Sequence, residues 1–142
     1  MAGYFIRPMI GQRHTLGHEI IDADHKAIGE WWQRAVNCEP IQSKFFIARL
    51  KSLMRKHFAH EAQLMEQSGG TLCECHWMEH QQWIELCDQA DALSSDNWKK
   101  ARSLLRIELP RLVRDHIITM DQLTVIFINT HGTHGVSAPH NC

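Results

Sequence analysis

The sequence from Cys73 to His80 reads CECHWMEH and places two cysteines and two histidines within eight residues. The cysteines, Cys73 and Cys75, are separated by a single residue, whereas His76 and His80 are four residues apart. A helix turns by about 100° per residue, so side chains four positions apart lie only about 40° apart around its axis. On a helix the two histidines therefore share one face and can chelate one metal ion, and the cysteines fall outside that pattern.

The composition restricts the class of protein. A chain of 142 residues is long enough for one domain with a substantial core and too short for two of ordinary size. Its formal net charge of −1 gives no basis for predicting a nucleic-acid or anionic-membrane partner. No apolar run has the length of a membrane span, and the N-terminal segment lacks a signal-peptide core. We therefore expect a cytoplasmic protein whose odd number of cysteines, five, does not form a disulfide framework.

Four segments show helical periodicity and are separated by short breaker sequences. They cover approximately residues 16–36, 42–67, 72–93 and 97–128. Amphipathic helices of this length with short connections favour an all-α fold, an antiparallel up-and-down four-helix bundle. We assign the bundle to residues 1–130 and expect a mobile tail in residues 131–142, which lack apolar periodicity.

Histidine is the unusual residue type, with 11 copies, so roughly one pair spaced by four is expected by chance. His14 and His18 form such a pair, but they precede or open the first helix, and we interpret them as solvated. The same interpretation applies to His60 and to three histidines of the tail, His131, His134 and His140.

A larger set of potential ligands shares, on each helix, the stripe that carries the apolar residues. It consists of five histidines and two carboxylates: His25, His57, Glu61, His76, His80, His116 and Asp121. Buried charges without partners cost several kcal/mol, so a metal centre is the simplest common partner. Seven ligands are too many for one tetrahedral zinc, and nitrogen and oxygen ligands suit iron. Because carboxylates can bridge two ions, we expect a dinuclear site in the bundle core.

The last two ligands have an unusual spacing. His116 and Asp121 are five residues apart, which on an ideal helix turns them about 140° away from each other. A π-helical insertion would bring both side chains to one centre, and such insertions are frequent at functional sites. Pro110 lacks a backbone donor just upstream and gives a second reason to expect a distorted helix here.

The order of these ligands resembles the hemerythrin family in its bacterial single-domain form. The motifs that carry the resemblance are His25, His57-x-x-x-Glu61, His76-x-x-x-His80 and His116-x-x-x-x-Asp121, within the segments IDADHKAI, HFAHEAQLM and RDHIITMD. The resemblance covers residues 16–127 and implies two iron ions with an oxo or hydroxo bridge. It also implies that Glu61 and Asp121 bridge the two ions, one of which is bound by His76, His80 and His116 and the other by His25 and His57. The two-histidine iron then keeps the open position at which the family binds dioxygen.

Four further residues are assigned around this centre. Val113 stands where the family usually has leucine in the wall of the oxygen pocket, and we expect Ile117 to face the same pocket. Cys73 and Cys87 lie near the ligand stripe, and we interpret them as small core residues. The alternative is that they are redox thiols, open to oxidation beside the iron.

The resemblance implies reversible dioxygen binding, as a carrier, buffer or sensor, without substrate turnover. Nitric oxide and small anions such as azide are further candidate ligands, and a protein partner is not identifiable from the sequence. Two alternatives stay open: a di-iron peroxidase or nitric-oxide scavenging enzyme, and an iron-sensing or redox-sensing signalling module. Because carboxylate-rich sites favour oxygen cleavage, the predominance of histidine favours reversible binding.

Overall fold

The computed structural model describes residues 6–132, and helices account for most of that range. Three long helices come first: α1 (Glu19–Asn37), α2 (Ser43–Gln67) and α3 (Glu74–Leu93). A fourth helical run, residues 98–131, consists of α4 (Trp98–Ser103), α5 (Leu109–His116) and α6 (Gln122–His131). Two π-helical turns separate its parts, the first at Leu104–Glu108 and the second at Ile117–Asp121.

The expected four-helix bundle is confirmed. The connections between successive long helices are residues 38–42, 68–73 and 94–97, so neighbouring helices run antiparallel and pack side by side. Within residues 6–132 no helix combines the length and apolarity that a membrane crossing requires. The part of the predicted tail from residue 133 onward lies outside the described residues.

Local chemistry fixes where the helices begin and end. The Asp22 carboxylate accepts the backbone N–H groups of three preceding residues, Leu16, Gly17 and His18, and so fastens the entering chain to the first turn of α1. After Gln67 the chain turns through Gly69, whose φ of 85° lies in the left-handed region that glycine adopts at little cost. The sequence predicts that the second helix ends before the breaker residues 68–70, and the left-handed glycine explains why it does.

The core consists of two apolar clusters with a polar layer between them. The larger cluster contains Trp32, Leu50, Met54, Trp83, Leu105 and Val113, among others, and the smaller contains Ile21, Met65, Leu72, Val125 and Ile128. On each of the four helical runs the predicted ligands occupy positions between residues of the larger cluster and residues of the smaller one. This arrangement closes the polar layer at both ends with apolar side chains.

Candidate metal centre

The seven predicted ligands lie together in the polar layer, and none is more than 2% exposed. Their ligand atoms form two groups in which the atoms lie within 4.8 Å of one another. One group contains Glu61, Asp121 and the three-histidine half of the centre, His76, His80 and His116. The other contains Asp121 and the two-histidine half, His25 and His57. The structure thus divides the histidines as the family resemblance implied.

Asp121 reaches both halves with different oxygen atoms. Its Oδ2 lies 2.8 Å from His25 Nε2 and 3.3 Å from His57 Nε2. Its Oδ1 lies 2.8 Å from His116 Nε2 and 3.1 Å from His76 Nε2. Each oxygen faces one half of the centre, which is the placement that a bridging carboxylate requires.

Glu61 occupies a similar position on α2, one helical turn after His57. Its Oε1 lies 3.0 Å from His57 Nε2 and 3.1 Å from His80 Nε2, and its Oε2 lies 3.5 Å from His76 Nε2. Glu61 therefore also contacts histidines of both halves.

The second π turn explains the five-residue spacing of His116 and Asp121. It spans Ile117–Asp121, so it begins directly after the first ligand and ends on the second. In a π turn the backbone hydrogen bond joins residues five apart, so Asp121 returns to the side of the helix that carries His116. The predicted insertion is confirmed, and without it the carboxylate would point away from the centre.

The first π turn lies just before Pro110, where a distorted helix was also expected. Proline cannot donate to the carbonyl four residues earlier, so regular α-helical bonding is interrupted over Leu104–Glu108. The Leu105 carbonyl instead accepts the indole N–H of Trp32 at 2.6 Å. The bond fixes the fourth helical run to α1.

The polar atoms of the cluster fit a metal better than they fit one another. Both Glu61 oxygens, Asp121 Oδ1 and His80 Nε2 are buried yet make no hydrogen bond of acceptable geometry, although histidine nitrogens and carboxylate oxygens approach closely. Buried polar atoms are normally satisfied, so atoms that converge without pairing require another partner. Imidazole nitrogens and carboxylate oxygens together are suitable ligands for iron.

The pKa values describe the cluster in its metal-free form. Burial and the neighbouring Asp121 carboxylate raise the pKa of Glu61, but His57 and His76 together outweigh both and lower it to about 2. Burial lowers the pKa of His76, but the neighbouring carboxylates of Asp121 and Glu61 outweigh burial and raise it to about 9. For His80, burial dominates and lowers the pKa to about 4. The metal-free cluster therefore holds ionised carboxylates beside protonated imidazoles, and metal ions would replace those protons.

Several residues that orient the ligands were not predicted from the sequence. Asp24 Oδ2 lies 3.1 Å from His57 Nδ1 and 2.7 Å from His60 Nδ1. Glu79 Oε1 lies 2.9 Å from His116 Nδ1. Such contacts fix the ring orientation and increase the basicity of the coordinating nitrogen. The sequence signal was a carboxylate directly before a ligand histidine, as in Asp24-His25 and Glu79-His80.

Three histidines that we had interpreted as solvated have structural partners instead. His60 holds Asp24, as described above, and keeps 30% of its side chain exposed. His14 is only 3% exposed, and its Nδ1 accepts the backbone N–H of Gly11 at 2.9 Å. His18 caps α1 by accepting the backbone N–H of Ile21 at 3.5 Å. Among the described residues, neither His14 nor His18 belongs to a group that could hold a metal ion.

Aromatic rings enclose the three-histidine half. The Phe58 ring stacks on His80, with the ring centres 3.8 Å apart and the planes 11° apart. Trp83 meets His116 edge-on, with the ring centres 5.0 Å apart. Trp32 instead donates its indole N–H to the Leu105 carbonyl in the first π turn.

The remaining sequence assignments have different outcomes. Val113 and Ile117 are fully buried in the larger apolar cluster, and their contact with a bound oxygen molecule stays a prediction. Burial raises the pKa of the Cys87 thiol to about 12, and its Sγ lies 3.9 Å from Met54 Sδ, which favours the packing interpretation. Cys73 is disulfide-bonded, so it is not the free thiol that the sequence led us to consider. Its Sγ also accepts the backbone N–H of His76 at 3.4 Å and caps α3.

Comparison with known proteins gives one result. The sequence model of a family described as "Hemerythrin HHE cation binding domain" matches residues 16–125, a range that contains all seven ligands. No curated protein and no solved structure matches the chain significantly.

Proposed function

The chain belongs to the hemerythrin HHE cation-binding family and is a non-haem iron-binding protein, and on that premise we propose that it binds dioxygen reversibly at two iron ions. The irons, when bound, supply the electrons and the open coordination position that reversible oxygen binding needs. The protein would act as an oxygen carrier, buffer or sensor.

The unequal number of histidines in the two halves carries this proposal. Glu61 and Asp121 contact both halves, whereas three histidines lie on one side and two on the other. The three-histidine half would supply one more protein ligand than the two-histidine half, so an ion held by the two histidines would have room for an external ligand. The asymmetry favours ligand binding at one ion and a structural role for the other.

The chain's own side chains favour binding over oxygen cleavage. The centre has five imidazoles and two carboxylates, of which Asp121 belongs to both groups of ligand atoms and Glu61 also contacts His57 of the two-histidine half. Apolar residues that are less than 2% exposed, among them Trp83, Val113 and Ile117, surround the ligands and exclude water. Asp24 and Glu79 orient two of the imidazoles, so the ligand nitrogens need little rearrangement when metal is bound.

The test begins with a metal count and continues with rapid mixing. Protein expressed with iron should contain two iron ions per chain, and one tightly bound zinc would contradict the proposal. The reduced protein should then develop a new optical spectrum when mixed with oxygen in a stopped-flow instrument, and the spectrum should revert when the gas is removed. Irreversible conversion to the di-ferric form, together with repeated turnover of peroxide or nitric oxide, would support the enzymatic alternative.

A further inference from the structure

A pocket of about 560 Å³ lies between the turn Gln12–His14 and the first turns of α1. Its lining includes His25 of the two-histidine half, and it also includes His14 and Lys26. No residue of the three-histidine half is part of the lining. The pocket therefore adjoins the half of the centre in which a coordination position stays open.

His14 is one of the residues that line this pocket, and it carries an unused hydrogen-bond donor. Its Nδ1 accepts the backbone N–H of Gly11, so in the neutral ring the proton is on Nε2. Burial and the charges of Arg13 and Arg114 lower the pKa of His14, which keeps the ring neutral near pH 7. Nε2 is buried and has no hydrogen-bond partner among the described residues. Because buried donors are normally paired, this N–H calls for an acceptor that residues 6–132 do not supply.

The charges around the pocket favour an anionic acceptor. Lys26 and Asp22 are the two charged side chains in its lining besides the histidines. The Asp22 carboxylate already accepts three backbone N–H groups at the start of α1, so its charge is compensated locally. The Lys26 ammonium has no such compensation in the pocket lining and attracts negative charge.

We propose that this pocket receives small anionic hydrogen-bond acceptors bound at the two-histidine half, and that His14 donates to them from Nε2. The proposal rests on the two-iron function proposed above and adds to it a residue that recognises the ligand and the pocket through which the ligand enters. His14 acts on the ligand directly and not on the metal, so its removal should leave the iron content unchanged.

The first test replaces the donor. His14→Phe keeps an aromatic ring in place but lacks the N–H, and azide binding to the iron-loaded di-ferric protein is measured by optical titration. We expect the azide dissociation constant to rise about tenfold, because one hydrogen bond to a charged acceptor is lost. His18→Phe, at a histidine outside the pocket, is the matched control and should bind azide like the wild type. An unchanged dissociation constant in His14→Phe, with the iron retained, would overturn the role of His14.

The second test blocks the pocket without changing a histidine. Ala23 is exposed, lies on α1 and lines the pocket, so Ala23→Phe fills part of the space. We expect azide association to be slowed about tenfold or more, whereas Ala48→Phe, at an exposed site on α2, should have no effect. Association at the wild-type rate in Ala23→Phe would show that ligands reach the iron by another route. This variant keeps the proposal testable even if His14→Phe does not fold.

A third measurement needs no iron. Nitrogen NMR of the His14 ring in the metal-free protein should show the proton on Nε2 and a bare Nδ1. The opposite tautomer would exclude donation from Nε2. If the wild type takes up two irons and binds azide but both pocket variants behave like it, only this inference fails. If the wild type takes up no iron, the proposed function fails and this inference fails with it.

Discussion

The two halves of the metal centre are built from different parts of the bundle and differ in their surroundings. The three-histidine half combines His76 and His80 of α3 with His116 at the end of α5, and Phe58 and Trp83 pack against its rings. The two-histidine half combines His25 of α1 with His57 of α2 and borders the 560 Å³ pocket. The two aromatic rings pack most closely against the first half, and of the two halves only the second borders this pocket.

The halves also differ in how their histidines are held. His116 is oriented by Glu79, and His57 is oriented by Asp24, which His60 holds in turn. His25 Nδ1 and His80 Nδ1 have no partner among the described residues, but His80 is stacked on Phe58. His25 is therefore the least constrained of the five histidines, and it belongs to the half for which we propose an open position. The following predictions test this contrast, beginning with the largest effect.

Removing the Glu61 carboxylate should weaken iron binding in both halves, because Glu61 contacts histidines of both. We expect Glu61→Ala to reduce the iron content from two ions per chain to nearly none, while circular dichroism shows the helices retained. Glu66→Ala, at an exposed site on the same helix, is the control and should keep both ions. A Glu61→Ala protein that keeps two irons and an unchanged optical spectrum would contradict the assignment of a bridge.

Removing His25 should affect one half only. We expect His25→Ala to keep about one iron per chain, held by the three-histidine half, and to lose dioxygen and azide binding. Metal analysis and optical titration measure the two effects on the same sample. His18→Ala is the matched histidine control, since His18 caps α1 and contacts no ligand in the described chain, and it should behave like the wild type. Loss of both ions in His25→Ala would show that the halves are not independent.

The orienting carboxylates should each affect their own half. Asp24→Asn should lower the affinity of the two-histidine half for iron by about 10–100-fold. Glu79→Gln should lower the affinity of the three-histidine half by a similar factor. Chelator competition, followed by the loss of iron with time, measures both affinities. His60→Ala should have a smaller effect than Asp24→Asn, because His60 contacts Asp24 and not the ligand His57. If either carboxylate variant lowered the affinities for both iron ions equally, the two carboxylates would not have separate roles.

The smallest predicted effect concerns the oxygen pocket. Val113 is fully buried beside the ligand His116, and the shorter side chain leaves more room than leucine would. Extra room admits water and small anions, so Val113→Leu should slow oxidation of the oxygen-exposed protein to the di-ferric form, by about threefold to tenfold. The optical spectrum followed over time gives the rate. Val36→Leu, a similar enlargement elsewhere in the larger cluster, should leave that rate unchanged.

Much of the centre could be predicted from the spacing of residues along each helix. Residues four apart on a helix share a face whatever the helix packs against, so His57 with Glu61 and His76 with His80 were identifiable without a fold. The five-residue spacing of His116 and Asp121 required a π turn if both were ligands, and the structure contains one between them. The end of α2 could be predicted in the same way, because glycine readily adopts the positive φ that ends a helix.

Contacts between helices could not be obtained in this way. Asp24 meets His57 across 33 positions of sequence and Glu79 meets His116 across 37, and His14 is buried because the turn before α1 folds back onto the bundle. These contacts depend on the rotation and register of each helix against its neighbours, which many side chains decide together and periodicity does not specify. The sequence by itself therefore predicted which side chains form the buried cluster and, through the family resemblance, how its histidines divide. Only the tertiary structure decided which residues orient these side chains and which half borders a pocket, because both depend on how the helices pack.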